Sequence, residues 1–183
     1  MPDRKKPILF MLLSATIVIN SYGQTQLPKD PETGSYAYQG KIQVDSVSKQ
    51  TLYLNAKSWV VRTLKSSDNM LELDDKEFNT LVASGTVILD NDASGNDRKL
   101  NFKLAVAFKD GKFKYSFENF TYVGSVIAGP FISAAPTQSS LEDLKGTAKT
   151  KENILSKVDA TMKNLEKSFV SAVKKSTLKK DDW

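Results

Sequence analysis

Residues 100–120 constrain the fold more than any other stretch of the chain. Leu100, Phe102, Leu104, Val106 and Phe108 alternate with Lys99, Asn101, Lys103, Ala105, Ala107 and Lys109, the period-two pattern of a strand with one buried face. Asp110-Gly111 follows. Glycine enters left-handed backbone without steric cost, so this dipeptide is a strong hairpin signal. Phe113, Tyr115 and Phe117 then repeat the alternation on the way back. A two-residue turn sets Phe108 opposite Phe113, Val106 opposite Tyr115 and Leu104 opposite Phe117. On the other face Lys103 meets Glu118. That face must present Lys103, Lys109, Lys112 and Lys114 to water around a flat centre of Ala105, Ala107 and Ser116.

The chain starts with a segment that does not belong to this domain. Arg4, Lys5 and Lys6 precede an apolar run, and Ser21-Tyr22-Gly23 offers the small residues of a cleavage site. Residues 1–23 therefore read as a secretory signal peptide cut before Gln24, and the protein as exported to the periplasm or the exterior. The apolar run is short for a membrane span, so no membrane contact is expected after cleavage. No cysteine follows it, and none occurs anywhere, so the exported domain relies on its hydrophobic core rather than on disulfides. Residues 24–35, with Pro28, Pro31 and Gly34, read as a disordered leader.

A single domain is expected over 36–175. Tyr36, Tyr38, Ile42 and Val44 alternate with polar residues as a first strand, with Gly40 on its apolar face, a mark of a bulge or a close backbone approach. Ser46 or Ser48 offers a helix N-cap. Leu52, Ala56, Trp59, Val60 and Thr63 recur at helical spacing, which predicts a helix over 49–65 with Trp59 in the core. Strands follow at 70–74 and 80–89, then the hairpin. Residues 121–148, broken by Gly124, Gly129, Pro130, Pro136 and Gly146, read as irregular, with a helical turn at 140–144. A last helix is predicted over 150–175, its seam formed by Leu155, Val158, Met162, Leu165 and Phe169 and widened by Ile154, Val170 and Val173. Residues 176–183 are a tail. The order β-α-β-β-β-β-α predicts an α+β, two-layer domain. Two helices cover one face of a five-stranded antiparallel sheet and the other face stays wet.

Three stretches also carry a family resemblance. They are Leu52-Tyr53 leading to Trp59, the hairpin Lys109-Asp110-Gly111-Lys112-Phe113-Lys114-Tyr115-Ser116-Phe117, and Asn119-Phe120. Over about 36–122 the chain resembles the DUF4468 family of exported Bacteroidetes proteins, described as having a TATA-binding-protein-like fold. The resemblance implies that fold and no particular activity. In relatives arginine is expected where Lys112 and Lys114 stand, and lysine offers a point charge in place of a bidentate fork.

Chemistry is narrowed by what is missing. Without histidine or cysteine, Ser-His-Asp triads, thiol nucleophiles and His- or Cys-based zinc sites are excluded. Asp74, Asp75 and Glu77 read as a solvated turn. Residues 90–95 open like a calcium loop, yet Asn101 stands where the bidentate glutamate should close it. No catalytic residue, metal site or cofactor is assigned. The net charge of +5 falls to +3 once Asp3, Arg4, Lys5 and Lys6 leave with the signal peptide, too mild to argue for nucleic acid. The expectation is a non-enzymatic binding or accessory module of the cell envelope. Its binding residues are Lys103, Lys112 and Lys114 on the wet sheet face, and its partner is an envelope protein, peptide or glycan. The alternatives are a carboxylate- or lysine-dependent hydrolase and a peripheral membrane-surface protein using the lysine-rich last helix.

Overall fold

Gly111 adopts a left-handed backbone (φ 72°), and around it the hairpin closes in the register that the alternation predicts. In this computed structural model β4 (Asp97–Lys109) and β5 (Lys112–Ser125) pair antiparallel, with Phe108 opposite Phe113, Val106 opposite Tyr115, Leu104 opposite Phe117 and Lys103 opposite Glu118. The structure describes residues 25–64, 71–75, 79–91, 95, 97–125 and 136–175. The expected signal peptide, the cleavage site and the tail lie outside the described residues.

Around the hairpin are β1 (Tyr38–Gln43), β2 (Leu71–Asp75), β3 (Thr80–Asn91) and β6 (Pro136–Ser140). The sheet is antiparallel in the order β1-β5-β4-β3-β2, and β6 also pairs with β5. It therefore has six strands, one more than expected. β1 runs beside residues 112–117 of β5 and β6 beside 121–125, so two short strands share one side of a long one. Between them β5 takes an extra residue. Lys103 pairs with Glu118 but Asn101 with Thr121, and Asn119 is left-handed (φ 56°). This bulge reverses the alternation, so Phe113, Tyr115 and Phe117 point inward before it and Phe120 and Tyr122 after it.

Helix α1 (Lys49–Thr63) is capped by Ser48, whose side chain accepts from the Thr51 N–H. Helix α2 (Ala148–Val173) is capped likewise by Thr147. Both lie on the same sheet face. Trp59 is buried there, as its helical phase predicts, and donates its indole N–H to Ser168 Oγ at 3.1 Å. The buried line of α2 is Ile154, Val158, Met162, Phe169 and Val173, while Leu155, Leu165 and Val170 pack at its margin. The seam is thus centred nearer Ile154 than Leu155. Asn55 of α1 closes the far end of α2 by donating to the carbonyls of Val173 (3.1 Å) and Lys175 (2.7 Å).

Two expectations are corrected. Residues 25–35 are not a disordered leader: Leu27 is buried, Lys29 bridges Tyr36, and the Ala37 N–H donates to the Pro28 carbonyl at 3.0 Å. The Thr25 N–H donates to Glu152 Oε1 of α2 at 2.7 Å. Hydrogen bonding from Thr25 holds the Glu152 carboxyl below the usual carboxylate range. The segment 121–148 is likewise regular at both ends, as the end of β5 and as β6. The turn expected at 140–144 is built by Ser140, whose hydroxyl accepts from the Asp143 N–H at 3.1 Å while Leu141 and Leu144 are buried. Residues 126–135 lie outside the described set.

Candidate functional site

The face of the sheet away from the helices is laid out by strand register, because residues directly opposite in antiparallel strands share a face. One row across it reads Leu73, Val82, Ala105, Ser116, Gln39. The next reads Asp75, Thr80, Ala107, Lys114, Lys41, and the last, beside the hairpin turn, Lys109, Lys112, Gln43. The middle of the face is floored by Ala105, Ala107 and Ser116. Two adjoining shallow depressions of about 580 and 620 Å³ lie on it and share Lys41, Ala107 and Lys114 in their linings.

Lys112 and Lys114 come together here with Lys41 and Lys109. Lys41 stands directly opposite Lys114, and Lys109 opposite Lys112. Among the described residues none of these four side chains has an ion-pair partner. The nearest carboxylates along the chain are engaged otherwise. Asp110 accepts from the Lys49 N–H at 2.8 Å and Asp45 from the Gln43 side chain at 3.1 Å.

Lys103 occupies the same face but a different environment. It donates to Glu72 Oε2 at 2.7 Å, and Ser84 donates to the other oxygen of that carboxylate. The hydrogen bond from Lys103, then that from Ser84, holds Glu72 below the usual carboxylate range. With Glu118 across from it in β5, Lys103 belongs to a neutralised row bordering the lysine patch. Lys41 was placed by the sequence on the polar side of the first strand, but its position beside Lys114 depends on the long-range pairing of β1 with β5, which local periodicity does not carry.

Of the carboxylates that stand out in the sequence, Asp74 and Asp90 are held in structural pairs. Asp74 pairs with Lys57 of α1, and Glu77 lies outside the described residues. Asp90 sits in β3, receiving Arg98 at 2.7 Å and Lys157 of α2. Residues 92–94 of the calcium-like stretch are outside the described set. On the inner face Tyr38 donates to Asp159 at 2.9 Å and Tyr115 to Glu166 at 2.8 Å. Burial, and then these carboxylates, push both phenols above the ordinary tyrosine range. They pin α2 to the sheet. Besides the two sheet depressions, a groove between the helices is lined by Trp59, Arg62 and Ser168, and a small one by Lys49, Tyr53 and Asn79. None of the four has a carboxylate in its lining. No described helix is long and apolar enough to cross a membrane.

An antiparallel sheet with both helices on one face and the other face open is here a TBP-like fold. It is shared with a TBP-like protein from Parabacteroides distasonis (TM-score 0.63, 14% identity, covering 80% of this chain and 97% of that one). A DUF4468 family protein from Bacteroides ovatus is similar as well (TM-score 0.60, 13% identity, covering 82% of this chain and 91% of that one). Residues 38–123 match the family described as a domain of unknown function (DUF4468) with TBP-like fold. No curated protein matches the sequence.

Proposed function

We propose that the protein is a non-enzymatic binding module of the cell envelope, exported by residues 1–23, which takes an anionic partner on its open sheet face. The observation that carries this reading is the lysine patch. Like charges directly opposite across strands are destabilising, and Lys41/Lys114 and Lys109/Lys112 are two such pairs without a described acidic partner. The helices already bury the other face, so these residues do no work for the core. The partner is an envelope protein, peptide or glycan. Lys112 and Lys114 contact it together with Lys41 and Lys109, and Lys103, held by Glu72, borders the site. Depressions lined by lysine and alanine, free of carboxylates, favour this reading over a carboxylate-dependent hydrolase.

Exposed lysines contribute little to stability. Changing Lys41, Lys112 and Lys114 to Glu should therefore leave the melting temperature nearly unchanged while removing the partners that wild type captures from the native envelope. Recovery of the same set by the triple variant, quantified by mass spectrometry, would refute the assignment of this face.

A further inference from the structure

We infer that the occupant of the lysine patch is an extended acidic segment of a second protein, lying along β5 with alternate carboxylates over Lys112 and Lys114. The inference rests on the reading of the open face as the binding surface and narrows its ligand. Lys112 and Lys114 are two residues apart on one strand, a separation of about 6.6 Å. An extended peptide repeats its same-side carboxylates at that distance, so one charge period matches the other. Lys41 flanks this line from β1 and Lys109 from β4, which lets one acidic segment reach all four ammonium groups. The floor of Ala105, Ala107 and Ser116 leaves room for a peptide backbone to lie close to the sheet.

The other polyanions lack the groups that would recognise them. Among the described residues every tryptophan, phenylalanine and tyrosine of the strands and helices is buried against the inner face, so the patch itself offers no ring for stacking on a nucleobase or a sugar. The described arginines are elsewhere: Arg98 pairs with Asp90, and Arg62 lies on α1. The patch therefore has no guanidinium fork for bidentate phosphate recognition. What remains is a set of point charges on a flat floor, suited to carboxylates spaced along a strand.

The test uses the full chain and a fluorescent peptide of alternating Glu and Thr, seven residues in length, read by anisotropy at low salt. Oligodeoxythymidine, heparin and phosphatidylglycerol vesicles are parallel probes. Binding of the peptide is expected to weaken about tenfold in Lys41→Gln/Lys114→Gln and in Lys109→Gln/Lys112→Gln. It should be unchanged in Lys163→Gln, which alters a lysine of α2 paired with Asp159. Binding should fall as salt is added. Circular dichroism melts verify that each variant folds, and the two double variants serve as independent tests. If heparin, vesicles or oligonucleotide bind and lose binding in the lysine variants while the peptide does not bind, the acidic-segment inference is overturned and the open-face reading stands. If no probe binds, or if both double variants bind every probe as tightly as wild type, both are overturned.

Discussion

Phe169 is the side chain on which both layers converge. Its ring packs edge-on against Trp59 of α1 at 5.1 Å and against Phe113, Tyr115 and Phe117 of β5 at 6.1, 5.6 and 5.7 Å. Such packing needs room on the sheet, and two glycines supply it. Gly40 stands opposite Tyr115 and Gly85 opposite Phe102. A Cβ on Gly85 would fall 2.5 Å from the Phe102 ring, and one on Gly40 2.7 Å from the Tyr115 hydroxyl. Gly85→Ala should cost about 1–3 kcal/mol, read from denaturant unfolding. The two pinned tyrosines give a pH signature. Their folded pKa values are raised, so their contribution is complete below the unfolded value of about 10 and is lost as pH rises through the alkaline range. Ultraviolet titration should find Tyr38 and Tyr115 un-ionised until alkaline unfolding begins. Their Phe variants should be less stable at neutral pH and lose less stability as pH rises.

At the scale of elements the bulge in β5 is the device that keeps a fourteen-residue strand facing the core from end to end. Asn119 tolerates its left-handed backbone better than a branched residue would. Asn119→Gly should be close to neutral in thermal melts, and Asn119→Ile should cost about 1–2 kcal/mol. This device shows why the elements differed in legibility. The hairpin register could be read because three consecutive aromatic or aliphatic pairs and Asp110-Gly111 agree on it. The bulge was hidden, because Glu118-Asn119 looks like the polar end of a strand. β6 was hidden more completely. Pro136-Thr137-Gln138-Ser139-Ser140 contains no large apolar residue, so periodicity has nothing to detect. It is held by its pairing with β5 and by the Thr137 hydroxyl donating to the Gly124 carbonyl at 2.8 Å. Lys112 and Lys114 could be placed from the hairpin, whereas Lys41 needed the β1–β5 pairing and the engagement of Lys103 needed Glu72 of β2.

For the whole molecule, the matched family segment is smaller than the folding unit. Residues 38–123 exclude Leu27, Leu141, Leu144 and all of α2, and each of these contributes buried side chains to the one core. A fragment of residues 38–123 should therefore fail to give a dispersed amide spectrum, while 25–175 should fold cooperatively. Deleting residues 25–36 from the longer piece should lower its melting temperature, because Leu27 and the Thr25–Glu152 tether are lost together.

The extra residue at Asn119 also governs how variation can be accommodated. Along β4 intolerance to polar replacement should fall on even positions throughout, from Leu100 to Phe108. Along β5 it should fall on odd positions from Phe113 to Phe117 and on even ones from Phe120 to Tyr122. The complementary positions form a surface whose sequence is free to diverge, or to be randomised in a library, at little cost to folding, with its parity changing midway along one strand.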